Sequence, residues 1–213
     1  MAMSPKGRVA IVTGGSRGIG RETAARLARL GYAVVVNYVH DQDTAESTVD
    51  AILDGRGDAV AIRADVSDTL DVERLFAQTI ETFGAVDAVV HAVRGHIAAG
   101  PLTELALEDF DAMYGTSIRA TFIVNQTAAR QLRNGGAMVN LMGTGDAANA
   151  ATMAAVDALT RFLAVELRER EITVNGVSFA ACAPRQVAEV VTYLLGAEGH
   201  GITGQVIHLG DGR

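Results

Sequence analysis

Val9-Ala10-Ile11-Val12-Thr13-Gly14-Gly15-Ser16-Arg17-Gly18-Ile19-Gly20 runs from a short apolar stretch through a glycine-rich turn into a helix-like segment. Strand, glycine turn and helix, in that order, are what a nucleotide pyrophosphate needs. Glycines let the backbone turn tightly and approach the phosphates, and the amino-terminal end of a helix offers unpaired N–H groups to negative charge. Gly14, Ser16, Arg17, Ile19 and Gly20 are therefore the first candidate binding residues.

The same alternation continues along the chain. Short β-branched runs predict strands at 9–12, 33–37, 59–62, 88–91, 137–141, 173–178 and 205–209. Helical stretches fall near 19–30, 43–54, 69–83, 104–133, 149–170 and 185–196. Apolar strands buried on both faces and alternating with helices predict an α/β fold, a doubly wound parallel sheet of about seven strands. Gly31, Gly84 and Gly136 stand at helix ends, where a left-handed cap suits them. No repeat, low-complexity tract or linker interrupts residues 1–213, which read as a single domain.

Composition narrows the partners. The 213 residues are 49% apolar and 20% charged, and 18 basic against 25 acidic side chains leave a net charge of −7. That balance argues against nucleic acid or an anionic membrane. No apolar run is long enough to span a bilayer, and residues 1–8 hold no long apolar stretch of the signal-peptide kind. Cys182 is the only cysteine, so no disulfide framework exists and a cytoplasmic location is expected. It has no basic or chelating neighbours; a small packed thiol is the expectation, and no metal site is predicted.

Thr13-Gly14-x-x-x-Gly18-x-Gly20 is similar to the turn of the short-chain dehydrogenase/reductase family. Further segments resemble that family in the same order: Asp65-Val66, Asp87-Ala88-Val89-Val90-His91, Gly136-Ala137-Met138-Val139-Asn140, Thr173-Val174-Asn175-Gly176-Val177 and Ile202-Thr203-Gly204-Gln205-Val206. Nearly the whole chain is covered, and the pattern is most like the β-ketoacyl carrier-protein reductases. The resemblance implies a Rossmann-type domain, a nicotinamide cofactor, and a role for Asp65 and Val66 at adenine.

At the end of the second strand an acid would hold the adenosine ribose and repel a 2′-phosphate. Here the position falls at Tyr38, with no acid before Asp41. Arg17 stands where related enzymes place a phosphate-binding arginine, and a guanidinium forks onto phosphate with two parallel bonds. His40 is a possible second contact. NADP(H) is therefore expected over NAD(H).

The chemistry that accompanies this fold is missing. Family members reduce ketones with a tyrosine acid whose pKa is lowered by a lysine four residues later, aided by a serine and an asparagine. The register fixed by Ala158-Leu159-Thr160-Arg161 puts Asn149 at the tyrosine position and Met153 at the lysine position. An amide does not titrate near neutrality and a thioether cannot tune a neighbour. Gly143 replaces the serine, with Thr144 a weak stand-in, and Ser117 replaces the relay asparagine. Tyr114 shares the 110, 114, 118, 122 stripe and reads as core or interface. No catalytic residue is assigned.

The family's N-N-A-G turn reads His91-Ala92-Val93-Arg94-Gly95-His96. His91 is kept as a candidate near the cofactor, and the two histidines with Arg94 leave a rebuilt acid/base site as a minor reading. The loop from Gly143 to Asn149 is short, and Phe179-Ala180 replaces the family's proline-glycine turn. The substrate-covering segment after it is absent, so the domain lacks a lid that excludes water.

What survives is the helical surface. Phe110, Tyr114, Ile118, Phe122, Ala129 and Leu132 lie on one helix, and Val156, Leu159, Phe162, Leu163 and Leu167 on another. In the family these helices form the main dimer interface, and the last strand and its helix a second one. A chain without chemistry that keeps such helices looks like a subunit retained for assembly. It resembles the smaller partner of the paired oxidoreductases of aminocoumarin (novobiocin-type) antibiotic pathways. There the assembly oxidises a β-hydroxyl on a carrier-protein thioester with NADP. The expected partner is a complete homologue in a hetero-oligomer, with any carrier protein engaged through it. Two other readings stay open: a stand-alone NADPH-dependent reductase or cyclase with a rebuilt site, and a dinucleotide-sensing or structural protein.

Overall fold

In a computed structural model describing residues 7–93, 102–143 and 147–210, the β-branched runs form one parallel seven-stranded sheet. Its strands are β1 (Val9–Val12), β2 (Ala33–Tyr38), β3 (Asp58–Arg63), β4 (Ala88–Val93), β5 (Ala137–Gly143), β6 (Thr173–Phe179) and β7 (Val206–Leu209). The spatial order is β3-β2-β1-β4-β5-β6-β7. Chain direction across the sheet therefore reverses between β1 and β4, which opens a crevice at their carboxyl ends.

Helices cover both faces. Ile11, Val35, Val89, Met138 and Val174 point to one side, where α3 (Thr69–Phe83), α5 (Ala120–Gln131) and α6 (Ala147–Glu166) bury Phe76, Val124 and Ala164 against them. Val12, Val34, Val90, Val139 and Val177 point to the other, against α1 (Gly18–Arg29), α2 (Gln42–Asp54) and α7 (Pro184–Leu195). Two-sided burial explains why the strands read as unbroken apolar runs. Each buried Val or Leu contributes roughly 1.5–3 kcal/mol of transfer free energy to that packing.

Local signals set the helix limits. Asp41 accepts from the Thr44 amide at 2.9 Å to start α2, and Asp68 accepts from the Asp71 amide at 3.0 Å to start α3. Each satisfies an amide that the first helical turn leaves unpaired. Gly84 ends α3 in the left-handed region, as expected. Gly136 does not: the positive φ belongs to Gly135. A Cβ at Gly136 would instead lie 2.8 Å from the Arg133 carbonyl and 2.9 Å from that of Asp87, so close approach requires this glycine.

The long helix expected over 104–133 is divided. It consists of α4 (Leu107–Tyr114), a π turn at Gly115–Arg119 and α5. The 110, 114, 118, 122 stripe does not enter the core; the buried face lies on the neighbouring stripe. Met113, Ser117, Thr121, Val124 and Ala128 form that face, while Tyr114 and Phe122 stay 50% exposed. Only residues 180–183 separate β6 from α7.

Candidate functional site

The crevice between β1 and β4 is a cleft of about 440 Å³. Its floor is the glycine turn. Gly14 adopts φ +61° and Gly18 φ +52°, conformations a side chain disfavours. The turn is anchored from both sides: the Gly15 amide donates to the Asn37 carbonyl at 3.1 Å, and the Thr48 hydroxyl to the Ser16 carbonyl at 3.3 Å. Asn37 is itself buried and donates to the Ala64 carbonyl at 3.0 Å, which ties β2 to β3 beneath the cleft. No side chain caps α1, so its first amides remain available to an anion.

Gly14, Ser16, Arg17, Asp65 and Val66, all named from the sequence, line this cleft together. Gly20 sits under the turn rather than in it; a Cβ there would lie 2.2 Å from the Gly14 carbonyl oxygen. Ile19 packs its half-buried side chain on the α1/α2/α7 core, so only its backbone belongs to the helix end. Asp65 accepts from the Ser67 amide at 2.9 Å and hydroxyl at 2.7 Å, which fixes its carboxylate at the cleft wall.

Arg17 is not a free cation. Its guanidinium pairs with the Asp41 carboxylate across the mouth of the cleft, and its side chain is 69% exposed. The Thr44 backbone N–H, then the Thr44 hydroxyl and then Arg17, hold Asp41 below the ordinary carboxylate range against an opposing desolvation. His40 is exposed beside this pair and also lines the cleft.

His91 lies below the cleft, not in it. The ring is wholly buried, and its Nδ1 is 2.9 Å from the Thr13 hydroxyl. Burial pushes its pKa down from 6.5 to about 4, so the ring is neutral at pH 7. That placement does not suit an acid/base group, nor direct contact with a cofactor. His96, Arg94, Gly95 and Thr144 lie outside the described residues.

The catalytic positions hold no titrating group. Asn149 and Met153 occupy successive turns of α6, Gly143 ends β5 where an added Cβ would lie 3.7 Å from the Phe179 ring, and Ser117 is fully buried in the π turn. Cys182 is half-buried. Among the described residues no cluster of histidine, cysteine or acidic side chains is built to hold a metal, and no helix is long and apolar enough to cross a membrane.

Sequence reasoning missed Asn37, Ser67 and Thr116 as cleft residues. A polar residue at the end of the apolar run 33–36 signals Asn37. Nothing in the sequence singles out Thr116, which lines the cleft from the π turn. Arg119 of the same turn donates to the Ser67 carbonyl and so holds the cleft's far lip.

A family model described as enoyl-(acyl carrier protein) reductase matches residues 14–183. The hydroxynaphthalene reductase-like protein Arp2 of Metarhizium majus is 39% identical over 180 residues, 81% of this chain and 67% of that protein. The short chain dehydrogenase claC of Passalora fulva is 31% identical across 97% of this chain and 94% of that protein. Its alignment runs over 252 positions against 213 residues here, so the relative carries segments this chain lacks. The structure of a short chain dehydrogenase from Burkholderia cenocepacia in complex with NADP superposes with a TM-score of 0.88. It is 32% identical and aligns over 97% of this chain and 98% of that one.

Proposed function

Because the chain belongs to the short-chain dehydrogenase/reductase family, we propose that it is a catalytically silent subunit of that family. In this reading it binds NADP(H) and assembles with a complete homologue that carries the chemistry. One observation carries the proposal: Asn149 and Met153 stand one helical turn apart on α6, where the reaction needs an acid and a cation that tunes it.

The cleft fits a dinucleotide phosphate. Uncapped amides at the start of α1, a turn that closes only with glycine at position 20, and the Arg17 guanidinium all suit an anion. Asp65 and Val66 suit the adenine side. When bound, NADP(H) supplies a hydride donor or acceptor. This chain's own residues hold the cofactor's phosphates; neither Asn149 nor Met153 can deliver or remove a proton. Residues 180–183 lead directly into α7, so that connection supplies no covering segment to exclude water.

The relatives' names as reductases support the redox class, and the family model's carrier-protein description supports an acyl thioester as the assembly's substrate. In this reading the complex oxidises or reduces a β-hydroxy/β-ketoacyl group on a carrier protein, in antibiotic biosynthesis. Apolar side chains exposed on α5 and α6 support the assembly itself.

Calorimetry with NADPH and turnover assays on a panel of ketones and enones test the reading. The expected result is binding without turnover by the chain alone, and turnover when it is co-purified with a complete homologue. Turnover by the isolated chain overturns the silent assignment. Binding with no partner recovered favours a dinucleotide sensor.

A further inference from the structure

The strand registers bring four polar side chains together on the α3/α5/α6 face of the sheet. Val12 pairs with Val90, so Thr13 and His91 follow side by side at the ends of β1 and β4. His91 pairs with Asn140 of β5. Alternation along each strand puts all three on the face where Ile11, Val89 and Met138 pack. Asn140 donates through Nδ2 to the Thr160 hydroxyl of α6 at 3.1 Å.

All four side chains are buried to within 1% of completely. Within this layer two atoms have no partner: Nε2 of His91 and Oδ1 of Asn140. They belong to register-paired residues on neighbouring strands. Burying either atom unmatched is costly, which favours an arrangement that joins the two.

Thr13 sets the direction of the pairing. Its hydroxyl oxygen already accepts the Ala92 amide at 3.0 Å, and the His91 Nδ1 lies 2.9 Å away. His91 Nδ1 is the one acceptor within reach of the hydroxyl proton among these contacts, so the proton is directed to it. A neutral imidazole with Nδ1 accepting carries its proton on Nε2. That N–H is a donor, and the unpaired atom of Asn140 is an acceptor.

We infer that His91 is a positioning residue, held as the Nε2–H tautomer, whose Nε2–H closes onto Asn140 Oδ1 and so joins the bonds at Thr13 and at Thr160 into one path. The path begins at the Ala92 amide, on the wall of the nucleotide cleft, and ends on α6. His91 thereby holds Thr13 and Ala92, two cleft residues, in fixed relation to the helix that packs behind them. It never touches the nucleotide. The inference stands whether or not the chain binds NADP(H), since every group in the path belongs to the apo fold.

Long-range ¹H–¹⁵N spectra of the uniformly labelled full chain at pH 7 read the tautomer directly. The His91 signals are identified by their loss in His91→Asn. The expected result is an unprotonated Nδ1, a protonated Nε2, and an Nε2 proton slow enough in solvent exchange to be seen. Asn140→Leu should speed that exchange at least tenfold. A protonated Nδ1, or averaged signals from two tautomers, overturns the inference on the wild-type protein alone. An exchange rate unchanged in Asn140→Leu removes Asn140 from the path and overturns it equally.

Discussion

Arg17 of the glycine turn and Asp41, the residue that caps α2, form an ion pair across the mouth of the cleft. One carboxylate thus does two jobs: it starts a helix and occupies the guanidinium proposed to meet a 2′-phosphate. The two roles separate by substitution. Serine caps a helix about as well as aspartate but carries no charge. Asp41→Ser should therefore leave stability nearly unchanged and tighten NADPH binding about 3- to 10-fold, because the phosphate no longer competes for Arg17. Arg17→Ala should weaken NADPH about tenfold and NADH less than twofold. Isothermal titration of both nucleotides against both variants checks this; equal losses for NADPH and NADH would remove Arg17 from the 2′-phosphate.

The buried imidazole of His91 makes a linkage prediction. Its pKa falls from 6.5 to about 4 through burial. Between these values the unfolded chain holds a proton that the folded chain refuses. The native state is therefore penalised as pH drops through this window, and the full contribution is present only above 6.5. The loss by pH 4 is on the order of 3 kcal/mol. His91→Asn keeps an acceptor for Thr13 without a titrating ring, and should flatten that segment of the stability curve. Urea titrations at half-unit steps from pH 7.5 to 4 measure it. Parallel curves for both proteins would rule out His91 as the source.

The fold was legible because the inner strands β1, β2, β5 and β6 are buried along nearly their whole length, so their apolar runs survive as unbroken signals. The cleft was legible for a related reason. Gly14, Ser16, Arg17 and Asp65 act from one turn or one strand end, where local sequence and local geometry coincide. What escaped detection depends on distance. Nothing near Thr116 in the sequence reports that it lines the cleft from a π turn, or that the buried face runs through Met113, Ser117 and Thr121 and leaves Tyr114 and Phe122 half-exposed. His91 was drawn toward the cofactor by its place in the chain. Strand alternation instead turns its side chain under Thr13, among helices that no local motif names.

Two glycines in the turn should respond differently. A Cβ at Gly20 would lie 2.2 Å from the Gly14 carbonyl oxygen, a backbone atom that cannot move aside without opening the turn. At Gly18 the space is open, and the constraint is the backbone angle of φ +52°. Gly18→Ala should cost about 1–2 kcal/mol of stability, the left-handed penalty of a side chain, and keep nucleotide binding within a few-fold. Gly20→Ala should cost 1–3 kcal/mol or more, as overpacking does, and abolish binding through the displaced turn. Chemical denaturation and NADPH titration on the same two variants separate conformation from collision.

The outer surface of α5 and α6 offers the last test. Phe122 is 50% exposed, Phe162 79% and Val165 64%, a concentration of apolar area that soluble monomers rarely present. Phe122 and Phe162 border two hollows between the helices, of about 620 and 640 Å³. In the first of these Asn125 is buried with neither amide atom hydrogen-bonded. An apolar face with an unmatched amide at its floor suits a partner helix more than water. Because both phenyl groups already face solvent, Phe122→Glu with Phe162→Glu should change the stability of the isolated chain by no more than about 0.5 kcal/mol per site. The same pair should weaken association with a complete homologue at least 100-fold, as loss of central aromatic anchors does, while NADPH binding by the chain itself is unchanged. Sedimentation velocity of the co-expressed pair reads the association. A complex that survives both glutamates would place the assembly surface elsewhere, with the β7 edge and α7 as the next face to alter.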